Sequence, residues 1–373
     1  MTAFGSPELA AAAGGVRPAL DASSSVGPGV TRPRGAVAAA AVALGVLVLT
    51  GLPLGGWDHG PGAAPFAASL FVIGMAHGAA DLAVFRRMVR GWPRRRSVAA
   101  ALGYLAVDGL ALLVLLAAPV VALSMFLFVS VLHFGATRRA GLVRRAVRGG
   151  GAYRVSFHGA DIATGYGEAA AVVLTGFLLH PAATAAVFAD LRQIAGGTAA
   201  FPLPVVQAAA VVATLGLAAA AAAAAYGLLR RRPDAGWRSA TLLGIVTAHL
   251  LLPPLAAVGV LFLVWHAGPE CVRLGGWLTP PDPPARRPAA GFRAGVFTLT
   301  RIITTHRRSL PLLIPTVVVV VVLAFAHRSA AAGTSVIEAL AAFTLLAYAV
   351  LTPAHELLHA AARRSVWNEA GQG

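Results

Sequence analysis

Five histidines lie inside long apolar stretches or at their ends: His77, His133, His249, His266 and His355. An ionisable ring at membrane depth is expensive to bury, so each marks a candidate site. Imidazole is the commonest side-chain metal ligand. Three or four imidazoles with at most one carboxylate and no thiolate suit non-haem Fe(II) or Zn(II), and iron with open coordination positions would bind O₂. Cys271 is the only cysteine, which excludes an intrachain disulfide and thiolate-held clusters. His77 and Asp81 are four residues apart and share a face if helical, so the carboxylate can accept the proton of the second ring nitrogen, as around bound metals. A plain helix-packing pair fits the same spacing. His266 and Glu270 have the spacing of two ligands on one turn, although Pro269 between them can break the helix. His133 stands without a spaced partner. A competing pattern is His355-Glu356-Leu357-Leu358-His359, which fits the zinc-protease signature H-E-x-x-H and suggests an intramembrane metalloprotease. Its third ligand would have to come from Asp81, Asp108 or Asp161, because the chain ends 14 residues after His359.

The elements that carry these residues are membrane helices. The chain has 373 residues, 58% hydrophobic and only 12% charged, with a mean hydropathy of +0.75, against about 25% charged in soluble domains. Apolar runs at 36–54, 97–121, 205–229, 242–265, 310–326 and 339–351 include several near the roughly 20 residues that span a bilayer. They are rich in Ala, Leu and Val without alternation, which excludes a β-barrel and leaves helices. The net charge of +16 is carried by arginine alone, in clusters at 86–96, 138–148 and 230–238 between apolar runs. That is the positive-inside pattern of a multi-pass protein rather than a nucleic-acid-binding surface. The expected fold is an all-α polytopic bundle of eight to ten spans in the plasma membrane, with arginine clusters on the cytoplasmic side.

Along the chain, residues 1–35 read as a disordered tail rich in Ala, Gly, Pro and Ser. The membrane domain is expected over 36–365, followed by a short tail at 366–373. Spans are expected at 36–54, 64–85, 98–118, 120–136, 168–180 and 204–229, with 149–166 interfacial. The segment 240–266 is interrupted by Pro253-Pro254 and flanked by arginines, so two half-helices lining a cavity are expected there. Further stretches at 292–304, 310–326 and 335–352 complete the bundle. The last helix is expected to end near 360–364, leaving Glu356 and His359 at the membrane edge.

Four motifs occur in order: Gly74-x-x-His77-Gly78-Ala79-x-Asp81, Leu132-His133-Phe134-Gly135, a Pro253-Pro254 pair followed by Trp265-His266, and Pro353-x-His355. Together they resemble the Brp/Blh family of membrane β-carotene 15,15′-dioxygenases, from about Phe66 to His359, with a minor landmark at Leu179-His180-Pro181-x-x-Thr184. The resemblance implies Fe(2+) held by His77, His133 and His266. The family's fourth histidine falls at Glu270, a carboxylate that can itself ligate iron, and Asp81 is then expected to support a ligand. Ala76 replaces a usual proline, and Arg138 stands where an acid often follows. The implied reaction is central cleavage of β-carotene with O₂ to retinal. Phe126, Phe134, Phe262 and Trp265 are expected in an apolar tunnel open to the bilayer, with a retinal-binding protein as product acceptor. A diverged non-enzymatic member, or a transporter or scaffold using the same histidines, is the remaining alternative.

Overall fold

The computed structural model describes residues 74–148, 158–198, 200–232, 234–278, 292–330 and 336–371. Every regular element among them is helical. Residues 74–79 form a short helical stretch that turns at Ala80 into α1 (Asp81–Met88). There follow α2 (Arg94–Ala117), α3 (Pro119–Arg148), α4 (His158–Leu179), α5 (Pro181–Ile194), α6 (Leu203–Leu229) and α7 (Ala235–Leu251). Next come α8 (Pro254–Leu261), a π-helical turn (Phe262–Ala267), α9 (Gly268–Leu278), α10 (Phe292–Ala330) and α11 (Val336–Gly371). Seven helical stretches among the described residues are long and apolar enough to cross a membrane. The expected tail 1–35, the span at 36–54 and the first part of 64–85 lie outside the described residues.

At the centre stands α4, which packs along α6 and against α3. Sequence placed a span at 168–180 and an interfacial segment before it; the span is instead Gly159–Leu179. Its hydropathy is low because 72% of its apolar window faces protein rather than lipid. Its glycines serve close backbone approach, the usual device of membrane helix pairs. A Cβ at Gly167 would sit 2.6 Å from the Gly216 carbonyl oxygen on α6, and one at Gly216 would sit 2.6 Å from the Ala170 Cβ.

The break at Pro253-Pro254 is present. Leu252 is extended (φ −116°, ψ 148°), as a residue before proline should be, and Pro254 opens α8 where its missing N–H is harmless. Two other expectations are corrected. Residues 292–304 and 310–326 belong to one helix, α10, which runs through Pro311 and Pro315; lone prolines are tolerated in membrane helices when neighbours satisfy the freed carbonyls. The last helix does not stop near 360–364 but runs to Gly371, through most of the expected tail.

Candidate metal centre

Four elements bring the histidines together. The helical stretch before α1 supplies His77, α3 supplies His133, the π-helical turn supplies His266, and α11 supplies His355 and His359. All five are buried. Ring centroids lie 5.0 Å apart for His77 and His266, 4.9 Å for His133 and His266, 4.7 Å for His133 and His355, and 5.4 Å for His77 and His355. His77, His133 and His355 each offer a ligand atom within 4.8 Å of the others. The Nε2 atoms of His133 and His266 face each other at 3.1 Å. His249 lies apart from the cluster, with Nε2 donating to the Val172 carbonyl at 3.2 Å.

Local structure aims each ring. A π-turn inserts one residue into a helix and recurs at functional sites; here it carries both Phe262 and His266 into the bundle. Gly74 makes room for Phe262, since a Cβ there would fall 2.1 Å from its ring. His77 Nδ1 donates to the Gly74 carbonyl at 2.7 Å. His133 Nδ1 donates to Glu356 Oε2 at 2.6 Å. His355 Nδ1 donates to Asp81 at 2.8 Å and 3.0 Å. With the Nδ1 proton of all three committed to an acceptor, each Nε2 keeps its lone pair, which is the tautomer that metal ligation requires. His355 Nε2 is buried and has no hydrogen-bond partner among the described residues. A buried polar atom left so calls for an explanation, and a cation between the facing Nε2 atoms supplies one. The donor set therefore fits a divalent metal that takes nitrogen ligands.

Asp81 is the hub behind this face. Besides His355 it accepts Tyr104 Oη at 2.7 Å and His359 Nε2 at 3.2 Å. His359 Nδ1 lies 3.5 Å from an Arg273 nitrogen, so both its ring nitrogens are engaged. Glu270 is buried one turn beyond His266, and its carboxylate accepts a hydrogen bond from Arg273. The helix survives Pro269, which is the second residue of α9. Glu356 and His359, expected at the membrane edge, are inside the bundle, and Glu356 also pairs with Arg363 at 2.5 Å.

Beside the histidines lies a cavity of about 340 Å³, within the range of small-molecule sites. Phe126, Phe134 and Phe262 line it, as do His77, His133 and His355. Trp265 is not among its lining residues. Its indole N–H donates to Glu168 at 3.2 Å, and Glu168 also accepts Arg138 at 2.6 Å. Glu168 thus ties α3, just after His133, to the π-turn beside His266. Leu105 on α2 borders the cavity and is itself 62% exposed, so a single side chain separates the cavity there from the exterior of the bundle. Sequence reasoning missed Tyr104 and Glu168, although an acid within a span such as Glu168 is a signal in itself.

The fold and site define a multi-span membrane protein with a polyhistidine centre opening on an apolar chamber. A family model described as beta-carotene 15,15'-dioxygenase matches residues 68–361, and the chain belongs to this family. No curated protein and no solved structure matches the chain.

Proposed function

We propose that the protein is a non-haem iron oxygenase of the plasma membrane. It cleaves the central double bond of a carotenoid with O₂, so that one C=C and one O₂ become two aldehydes, and β-carotene gives two molecules of retinal. One observation carries this reading: ring nitrogens of His77, His133 and His355 lie within 4.8 Å of one another on the wall of an apolar cavity. Fe(2+) would be held by His77, His133 and His266, with His355 Nε2 as the fourth nitrogen in preference to the Arg273-bonded Glu270. When bound, the iron would supply O₂ binding and the redox chemistry of the cleavage. The protein supplies the rest. Gly74, Asp81 and Glu356 fix the tautomer and rotation of the rings, and Phe126, Phe134 and Phe262 offer an apolar surface to a polyene and keep water out. The substrate, insoluble in water, reaches the cavity sideways past Leu105, and retinal leaves the same way to a retinal-binding acceptor. The test is expression in a β-carotene-producing bacterium, with retinal measured by chromatography and iron by elemental analysis. Retinal formation that disappears in His77→Ala and His355→Ala supports the reading. Stoichiometric iron with no carotenoid product overturns it.

A second reading has a specific observation behind it. Asp81, His355 and His359 also form a group that could hold a metal, as an H-E-x-x-H protease with a distant aspartate would require. Against it, Glu356, the general base in that scheme, is held by His133 and Arg363. The Asp81 contacts to both rings are at hydrogen-bond length. Casein or transmembrane-peptide cleavage that Glu356→Gln abolishes would establish the protease.

A further inference from the structure

We propose that Asp108 selects carotenoids carrying a hydroxyl on an end ring over the unsubstituted hydrocarbon. This deepens the proposed function and rests on it.

The argument starts from α2. This helix faces lipid over most of its surface, and Leu115 is its one buried residue. Tyr104 and Asp108 are four residues apart on its inner side and both line the cavity. Tyr104 is satisfied by Asp81. Asp108 lies one turn, roughly 6 Å, further along. Its Oδ1 is buried and has no hydrogen-bond partner among the described residues. A carboxylic group at membrane depth is expensive, and it persists where a partner or a function holds it. Two hydroxyls on the cavity wall are already committed: Thr316 Oγ1 donates to the Leu312 carbonyl and Thr352 Oγ1 to the Tyr348 carbonyl. Asp108 therefore stands as an acceptor among apolar side chains. A hydrocarbon ring would desolvate that oxygen and give nothing back. A ring hydroxyl supplies the missing donor, and a site built to hydrogen-bond a hydroxyl discriminates strongly against the analogue lacking it.

A second such group strengthens the choice of ligand. Thr184 Oγ1 on α5 is also buried on the cavity wall and has no hydrogen-bond partner among the described residues. Both α2 and α5 pack against α3 and α11, the helices that carry His133 and His355. The chamber thus has one unpaired polar group on its α2 wall and another on its α5 wall. A polyene with a hydroxyl at each end matches that arrangement better than β-carotene does.

The experiment uses the iron-loaded full chain in detergent or nanodiscs with two probes, β-carotene and its 3,3′-dihydroxy form. Binding is read from the absorbance shift of the pigment, and turnover from aldehyde products. Expected for the wild type is about a tenfold preference in binding for the dihydroxy form, the scale of one hydrogen bond to a buried acceptor. Asp108→Leu should bring the ratio close to one by weakening the dihydroxy form and improving β-carotene, with iron content unchanged. Asp108→Asn, which keeps an oxygen acceptor, should retain part of the preference and carries the test if the leucine variant does not fold. Equal binding of both probes by the wild type overturns the proposal, as does a preference that survives Asp108→Leu. Failure of the oxygenase reading looks different: selective binding of the dihydroxy form with no aldehyde from either probe.

Discussion

Replacing Asp81 by asparagine isolates what a negative charge behind the proposed metal ligands contributes. Asp81 Oδ1 receives His355 Nδ1 at 2.8 Å and His359 Nε2 at 3.2 Å, while Oδ2 receives Tyr104 Oη at 2.7 Å. Asparagine can keep its oxygen toward both histidines, and the tyrosine hydroxyl can rotate to accept from the new amide. Geometry is thus largely preserved and the charge is lost. A hydrogen bond to a charged group is worth about 1.5–3 kcal/mol and a neutral one about 0.5–1.5, so the bond to His355 weakens by about 1–1.5 kcal/mol. Through His355, the proposed ligand, that is about tenfold in iron affinity, at the lower edge of the roughly 10–100-fold typical of groups behind metal-binding histidines. Asp81→Ala, which also frees the ring to rotate, should lose more. Iron affinity is measured by competition against a chelator of known strength on purified, detergent-solubilised protein. Asp81→Asn binding iron within about threefold of wild type, while His355→Ala loses it, would refute the coupling and leave Asp81 as a packing residue.

His77→Ala removes a ring whose Nδ1 is already committed to Gly74, and should lower iron occupancy below half by elemental analysis; full occupancy would take His77 out of the ligand set. Glu270→Ala should keep iron within about threefold, because its carboxylate is engaged by Arg273, whereas loss of iron would make Glu270 the fourth ligand in place of His355. Glu356→Gln still offers an oxygen to His133 Nδ1 and should reduce retinal formation less than about tenfold, while Glu356→Leu, with no acceptor, should lose roughly 10–100-fold. Cysteines placed at Arg94 and Arg231 in a Cys271→Ser background should both resist a membrane-impermeant thiol reagent in intact cells; labelling of one alone would break the assignment of both arginine clusters to the cytoplasmic side.

The membrane character of the chain, its helical class and the interruption at Pro253-Pro254 were legible because each is a local property. Apolar length fixes a span, and a proline pair fixes a break. What local reasoning misjudged has a common cause. The segment from Gly159 looks too polar for a span only if every span is assumed to face lipid; α4 faces α3 and α6, so glycine and threonine replace leucine on its surface. The C-terminal stretch from Ala360 looked like an ending, yet Ala360, Ala361 and Ala362 are the strongest helix formers available and nothing there stops a helix.

The deeper ambiguity lay in His355-Glu356-Leu357-Leu358-His359, where one helical spacing serves two chemistries. Spacing puts His355 and His359 on one face and turns Glu356 away by about 100°. It cannot say what stands opposite either face. Asp81 is 274 residues from His355 in sequence and His133 is 223 from Glu356, so only the fold shows that Asp81 meets the two histidines and that Glu356 meets His133. That pairing changes the meaning of the motif. A protease needs its glutamate free to take a proton from water. Here the glutamate accepts the ring proton of His133, which fixes that histidine's tautomer and directs its other nitrogen toward His266. The signature that reads as a hydrolase in sequence becomes, through contacts distant in the chain, part of the support for a histidine cluster facing an apolar chamber.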